Sequence, residues 1–485
     1  MYHCLIFGNV SQPALIHRTA GIYKISHHLR SLGWDAESID YFNYWTLSEL
    51  QEFCKSRITS NTKFIGISHL FIYDQISNHL YNFCKWFKNE YPHIHIISGS
   101  MSYPRIKCKY IDYQIAGYGE YALETLVKWL YSNNKKPIFD DNNIINAIDN
   151  YPAFPMKSLY TAYEDRDYLK PHEWIGIETT RGCIFKCSFC NFPVLGVKED
   201  HSRSANDFEY HIKDMHDRYG ITQYYITDET FNDRADKVEA YANVIDNLNF
   251  QPWFVGYIRI DLTISRALTE LNQLKRMGFI GHFYGIETFN HNSGKSIGKG
   301  MHPDKIKQGL LDIKNHFGEI YRGTIGLIAG LPHETNKSLD NTEAWLLENW
   351  KGESIRYSPL YLTETRTGSI LAENYEKYGY TKMHQMAKDM EFVSRKKSDI
   401  LKTLPIMWQN EHMNFLDADK RTHAFKKHDI FNETAFGLIQ EHAICNTLED
   451  KLMLTHKEFL DKENINYIVK HGHVYKYIQS KLMSG

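Results

Sequence analysis

The chain has 485 residues, which exceeds what one hydrophobic core usually supports, so we expect two or three domains. A net charge of −2 argues against general attraction to nucleic acid, and no apolar run approaches the roughly 20 residues of a membrane span. The start of the chain lacks the features of a signal peptide, and most of the eight cysteines are isolated, which predicts a cytoplasmic protein with reduced thiols.

Residues 1–135 alternate short apolar runs with helical patterns, which predicts a Rossmann-like, doubly wound α/β domain. The strand-like runs are Cys4–Phe7, Phe64–Ser68 and Ile94–Ser98. Between and after them, apolar residues at spacings of three and four indicate amphipathic helices, as at Ile22, Ile25, Leu29 and Leu32.

Small and polar residues follow the predicted strands of this domain, at the sheet edge where open α/β sheets bind ligands. They are Ser68, Gly99, Ser100, Gly117, Gly119 and Glu120. Taken singly, each glycine is explained by a tight turn, but as an ordered set the loops resemble those of a cobalamin-binding domain. The resemblance implies that these six residues contact cobalamin.

The histidine motif that supplies a lower cobalt ligand in some cobalamin proteins, Asp-x-His-x-x-Gly, is absent from this domain. The nearest string, Asp214–Gly220, has the wrong glycine spacing and falls in the next domain. Two interpretations stay open: cobalamin binds without a protein histidine, or the domain does not bind cobalamin.

Residues 136–170 lack periodicity and contain prolines at 137, 152 and 155, which predicts an interdomain linker. After it, six apolar runs separated by helical patterns predict a partial (β/α)6 barrel of the TIM type over residues 171–385. The runs are Trp174–Glu178, Tyr224–Thr227, Trp253–Tyr257, His282–Ile286, Thr324–Ala329 and Ile355–Leu360.

The first run leads into Cys183, Cys187 and Cys190, a C-x3-C-x2-C triplet without a fourth cysteine nearby. Thiolates favour zinc or iron–sulfur clusters over hard cations. A structural zinc site needs a fourth ligand, which His172 or His201 could supply, and a redox pair of Cys187 and Cys190 would leave Cys183 unexplained. A cluster held by three cysteines instead keeps one iron open.

This triplet, with Phe189 before its last cysteine, resembles the signature of the radical S-adenosylmethionine (SAM) enzymes. The resemblance implies a [4Fe-4S] cluster whose open iron is chelated by SAM. It also implies SAM contacts for Phe189 and for residues at the ends of later strands. These are Asp228, Glu229, Arg259 of Arg-x-Asp261, and Glu287 of Tyr284-Gly-Ile-Glu, with Lys299-Gly300 and Gly330-Leu-Pro-His-Glu-Thr335 as further motif matches. Taken from the residues alone, each carboxylate could instead form a salt bridge or cap a helix.

Residues 386–485 show mainly helical patterns, such as Phe436, Ile439 and Ala443 on one face. No motif stands out there, and local basic runs such as Arg395–Lys397 are typical of solvated helix faces.

The resemblance implies an enzyme that cleaves SAM reductively to methionine and a 5′-deoxyadenosyl radical. With cobalamin bound, methyl transfer to an unactivated carbon is the expected outcome; without it, rearrangement, cyclisation or sulfur insertion is. The expected partners are an electron donor such as flavodoxin or ferredoxin and a small-molecule or peptide substrate rather than nucleic acid. The alternative from another class is a zinc-stabilised binding protein without catalysis.

Overall fold

The computed structural model describes residues 1–9, 18–69, 79–100, 106–140, 143–152, 154–155, 160–169, 173–192, 201–363, 369–382, 401–402, 405–428 and 480–484. The predicted ligand His172 and the predicted helix face at Phe436, Ile439 and Ala443 lie outside these residues.

The N-terminal part of the chain forms six parallel strands with helices between them. The elements are β1 (His3–Phe7), α1 (Ala20–Ser31), β2 (Asp35–Ile39), α2 (Leu47–Arg57), β3 (Thr62–Ser68), α3 (His79–Glu90), β4 (His95–Ser100), β5 (Ile106–Lys107), β6 (Tyr113–Ala116), α4 (Glu120–Ser132), β7 (Ile144–Asn146) and α5 (Ala147–Asn150). The sheet order is β2-β1-β3-β4-β6-β7, and every pairing is parallel. The strand order reverses between β1 and β3, which is where doubly wound sheets bind ligands.

The middle part of the chain forms a second parallel sheet, and its elements alternate in the same way. They are β8 (Trp174–Ile177), β9 (Thr180–Arg181), β10 (His201–Ser202), α6 (Ala205–Tyr219), β11 (Gln223–Ile226), α7 (Ala235–Asp246), β12 (Trp253–Ile258), α8 (Ile260–Met277), β13 (Phe279–Glu287), α9 (His291–Ser296), α10 (Pro303–Phe317), β14 (Arg322–Ala329), α11 (Asn336–Asn349) and β15 (Ser354–Pro359). The order β8-β11-β12-β13-β14-β15 places successive strands side by side, as in a (β/α) barrel. The predicted α/β fold class is therefore confirmed.

The remaining described elements are short. They are β16 (Leu362–Thr363), α12 (Ile370–Glu373), β17 (Thr381–Lys382), β18 (Leu401–Lys402), β19 (Pro405–Ile406), β20 (Trp408–Gln409) and α13 (Phe415–Phe425), with 3-10 helices at Phe42–Tyr44, Asp165–Asp167, Gly318–Ile320 and Tyr375–Tyr378. In the described residues of the C-terminal region, α13 packs on β15, and β18 pairs with β5 of the N-terminal part. No helix among the described residues is long and apolar enough to cross a membrane.

The first strand of each sheet is buried along its whole length. All five residues of β1 and all four of β8 are buried. Strands that are buried on both faces have apolar residues at successive positions, so they can be predicted from the sequence. The segment predicted as a linker contributes β7 to the N-terminal sheet, and Tyr163 and Leu169 from the same segment are buried in the core. The predicted domain boundaries at 135, 170 and 385 stay predictions.

Candidate active site

The three cysteines of the triplet lie on one loop that follows β8 and β9. Gly182 has a φ of +99°, a conformation that favours glycine, and it turns the chain from β9 into Cys183. Cys187 is buried, and Cys183 and Cys190 are half-buried. Burial raises the pKa of Cys190 to about 12, and the charges of Cys187 and Cys183 act in the same direction. The thiols are therefore close enough to interact, and a soft metal must displace their protons to bind.

The sequence offered two histidines as a fourth zinc ligand beside the triplet, and one of them, His172, lies outside the described residues. In the part of the chain that the structure describes, no three His, Cys, Asp or Glu side chains converge on one ion. His201, one of the two predicted zinc ligands, lies on β10 and pairs with Arg181 of β9. A structural zinc ion needs converging ligands, whereas the cysteines of a cubane cluster each bind a different iron atom. The loop supplies three thiols, which is the number that a cluster with one open iron requires.

Arg259 lies directly beside the cysteine loop. Its Nη1 donates to Cys187 Sγ at 3.6 Å, and its guanidinium lies 3.7 Å from the ring centroid of Phe185. Its Nε and Nη2 donate to the carboxylate of Asp261 at 3.0 and 2.6 Å. The Arg-x-Asp pair thus holds a fixed positive charge against a sulfur, where it stabilises negative charge.

Asp228 and Glu229 are adjacent in sequence but have different surroundings. Asp228 is fully buried and accepts hydrogen bonds from Thr179 N at 2.7 Å, from Thr180 N at 3.0 Å and from the Thr179 hydroxyl. It thereby fastens the start of the cysteine loop to the end of β11. Glu229 instead lines a cavity, and burial raises its pKa to about 8, with a smaller contribution from the charge of Asp228.

Glu287 ends β13 with a φ of +69°, at a shift in the register between β13 and β14. Lys299 Nζ lies 3.3 Å from Glu287 Oε1, donates to the carbonyl of Gly285, and lies 5.8 Å from the ring centroid of Phe189. Burial raises the pKa of Glu287, and the charge of Lys299 opposes that shift. The fold therefore brings Phe189, Glu287 and Lys299 together at the carboxyl ends of the strands.

Glu334 of the Gly-Leu-Pro-His-Glu motif binds the loops around it. It accepts hydrogen bonds from the backbone of Gly330 and Leu331 at 2.8 and 3.1 Å, and from the Thr288 hydroxyl at 2.7 Å. Thr288 therefore joins the end of β13 to the end of β14.

A cavity of about 630 Å³ lies between the N-terminal sheet and the barrel. All six predicted cobalamin contacts line it: Ser68, Gly99, Ser100, Gly117, Gly119 and Glu120. From the barrel, Glu229 and two residues of the lumen, Tyr225 and Tyr257, line it as well. Among the residues predicted to contact SAM, Glu229 is the one that lines this cavity.

Two glycines of this cavity have different constraints. Gly117 has a φ of +103°, and a Cβ there would lie 2.7 Å from the Ile148 side chain, so the backbone requires glycine. A Cβ at Gly99 would meet nothing within 4 Å. Gly99 therefore leaves open space at the carboxyl end of β4.

Comparisons with known proteins agree with this geometry. Residues 177–346 match the family model described as the Radical SAM superfamily. The chain contains a radical SAM domain. An uncharacterized methyltransferase from Pyrococcus horikoshii is 22% identical over 318 residues, which cover 61% of this chain and 67% of that protein.

Two solved structures share the fold over nearly the whole chain. TsrM from Kitasatospora setae, solved with tryptophan substrate and a SAM analogue, matches with a TM-score of 0.64 and 12% identity over 99% of this chain and 97% of that one. OxsB, solved with aqua-cobalamin and SAM, matches with a TM-score of 0.57 and 13% identity over 98% of this chain and 72% of that one. The arrangement of an α/β domain before a radical SAM domain is therefore shared with both.

The radical SAM domain implies a [4Fe-4S] cluster and SAM, and the described residues fit both groups. Three thiols lie on one loop with Arg259 beside them, which suits the cluster. SAM carries ammonium, carboxylate and hydroxyl groups, which require the acceptors and donors that Glu229, Glu287 and Arg259 provide.

Several residues of the cavity were not predicted from the sequence. They are Lys24, Tyr118, Glu178, Arg181, Tyr225 and Tyr257. Arg181 could have been predicted as a site residue, because it lies two residues before Cys183, the first cysteine of the triplet. Tyr118 likewise lies between two glycines that were predicted to contact a ligand.

Proposed function

We propose that this protein is a cobalamin-dependent radical SAM methyltransferase that acts on an unactivated carbon. The observation that carries the proposal is a cavity lined both by the glycine-rich edge of the N-terminal sheet and by Glu229 of the radical SAM domain. The expected partners are a one-electron donor protein and a small-molecule or peptide substrate in the cytoplasm.

In this proposal, Cys183, Cys187 and Cys190 bind three irons of the cluster and leave the fourth for SAM. Reduced cluster and cobalamin supply the electron and the methyl carrier when bound. Glu229 and Glu287 accept hydrogen bonds from SAM, Phe189 packs beside it, and Arg259 neutralises charge next to Cys187. Asp228 positions the cysteine loop through Thr179 and Thr180.

Ser68, Gly99, Ser100, Gly117, Gly119 and Glu120 form the cobalamin side of the cavity in this proposal. The glycines allow close approach of a flat macrocycle to the backbone. Because the sequence lacks Asp-x-His-x-x-Gly in this domain, the corrin binds without a histidine from that motif.

The proposal is tested with protein reconstituted anaerobically with iron, sulfide and hydroxocobalamin. Dithionite-reduced protein should consume SAM, and S-adenosylhomocysteine should form only when cobalamin is present, because methyl transfer from SAM to cobalamin leaves that product. Formation of 5′-deoxyadenosine alone, with or without cobalamin, would instead indicate a cobalamin-independent radical SAM reaction.

A substitution at Gly99 should remove cobalamin and preserve the fold. Leucine at position 99 extends into open space in the cavity and occupies volume that the corrin needs. Gly99→Leu should therefore lose the corrin absorbance that the unchanged protein retains after desalting. Ser60→Leu, in an exposed turn before β3 and thus at the opposite edge of the sheet, should retain it. Equal retention by the two variants would contradict the placement of cobalamin.

A further inference from the structure

A buried cluster of four charged residues joins the N-terminal domain to the radical SAM domain. Lys24 of α1 and Glu120 of α4 come from the first, and Glu178 and Arg181, which flank the start of the cysteine loop, come from the second. Lys24 forms an ion pair with Glu178, and Arg181 pairs with Glu120 at 2.5 Å and with Glu178 at 2.7 Å. All four side chains line the cavity.

Arg181 has one donor group that these pairs do not use. Its Nε and Nη2 donate to the two carboxylates, and its guanidinium lies 4.0 Å from the ring centroid of Tyr118. Its Nη1 is buried and has no hydrogen-bond partner among the described residues. Arg181 is only 4% exposed, so a buried N–H group remains unsatisfied in a side chain that lines a cavity. Such groups are destabilising unless an acceptor reaches them.

The charges around Arg181 indicate what kind of acceptor fits. Lys24 and Arg181 already pair with two carboxylates, those of Glu120 and Glu178. Although burial opposes it, the charge of Arg181 lowers the pKa of Glu120 below its ordinary value, which keeps that carboxylate ionised. A further anion at Nη1 would lose its hydration in a buried site that already holds the carboxylates of Glu120 and Glu178. A neutral carbonyl oxygen satisfies the donor without that cost.

We infer that Arg181 donates its Nη1–H to a carbonyl oxygen of an amide side chain on the rim of the corrin ring. This inference rests on the proposed function. Only Gly182 separates Arg181 from Cys183, so the same residue fixes the corrin, the N-terminal helix α4 and the cysteine loop relative to one another. Arg181 is thus a positioning residue for the two cofactors as well as a corrin contact.

The test is a titration of Arg181→Lys with hydroxocobalamin and with cobinamide, followed by the corrin absorbance. Lysine keeps a positive charge next to Glu120 and Glu178. It lacks the planar guanidinium group, whose several N–H donors can bind both carboxylates and a third acceptor at once. Loss of one charge-assisted hydrogen bond should weaken binding about tenfold. Cobinamide keeps the ring amides and lacks the nucleotide phosphate, so we expect the same loss for both corrins.

Arg203→Lys is the matched control for this titration. Arg203 is also a buried arginine next to the cysteine loop, where it donates to His211 at 2.9 Å and to the carbonyl of Asp207, but it does not line the cavity. The affinity of the Arg203→Lys variant for hydroxocobalamin and for cobinamide should stay within about twofold of that of the unchanged protein. A loss in Arg181→Lys confined to hydroxocobalamin would assign Nη1 to the phosphate and overturn the inference.

Two further outcomes of the titration would overturn the inference about Arg181. Unaltered affinity of a folded Arg181→Lys for both corrins would overturn the inference and leave the proposed function standing. Failure of the unchanged protein to bind either corrin would overturn the proposed cobalamin dependence and the inference with it. Thermal unfolding of both variants establishes that they are folded.

Discussion

Replacing Cys183, Cys187 and Cys190 together by alanine should abolish both the iron–sulfur cluster and the cleavage of SAM. The three thiols are the soft ligands of the loop that enters the radical SAM domain, and the described residues supply no converging alternative site. After anaerobic reconstitution, the unchanged protein should show a broad visible absorbance, and the triple variant should not. Iron content should fall to background, and no SAM should be consumed after reduction.

Cys54→Ala is the control for this triple variant. Cys54 is a free thiol buried in the N-terminal domain, so its loss changes the thiol count and leaves the loop intact. It should keep the full absorbance and the full rate of SAM cleavage. Persistence of the cluster in the triple variant would contradict the assignment of the ligands, and stoichiometric zinc in the unchanged protein with no SAM cleavage would favour the zinc-stabilised binding protein.

Strands that are buried along their whole length, such as β1 and β8, were predictable from the sequence. Parallel strands buried on both faces are rich in apolar residues at successive positions, so the strand Trp174–Ile177 can be predicted without knowledge of its neighbours. The predicted order of strands and helices then leaves few possible topologies. The sequential strand order of the barrel follows directly from that restriction.

The strand β7 shows what could not be predicted. It has only three residues, Ile144–Asn146, and it follows an acidic and asparagine-rich stretch that is typical of a loop. Its place as the sixth strand depends on pairing with β6, more than 25 residues earlier in the chain. Such pairing depends on tertiary packing and leaves no periodic signal in so short a segment.

The sequence indicated which residues belong to the candidate site, but it did not indicate that neighbouring residues have different roles. Asp228 and Glu229 share one motif, yet hydrogen bonds from Thr179 and Thr180 occupy Asp228, whereas Glu229 faces the cavity. The contact between Arg181 and Glu120 joins residues 61 positions apart. Only the docking of the two sheets reveals which charged groups become buried together.

Replacing Arg18 by methionine should have the largest effect on stability. Arg18 is 1% exposed, its Nε donates to Glu173 at 2.6 Å, and its Nη groups donate to Tyr23 at 2.9 Å and to the carbonyl of Tyr168 at 2.7 Å. Its backbone also pairs with Ile175 of β8, so it joins the two domains. Methionine would remove the Arg18 cation from the buried carboxylate of Glu173, which should lower the free energy of unfolding by about 3–5 kcal/mol.

The control for this prediction is Arg276→Met, which removes another arginine from an ion pair. Arg276 pairs with Asp246 at the surface, where both side chains are more than 40% exposed. Water and salt screen such a pair, so its loss should cost only about 0–1 kcal/mol. Denaturant titrations of both variants, followed by circular dichroism, measure the difference. Similar losses in the two variants would mean that Glu173 becomes hydrated or protonated without Arg18, and that the ion pair does not hold the two domains together.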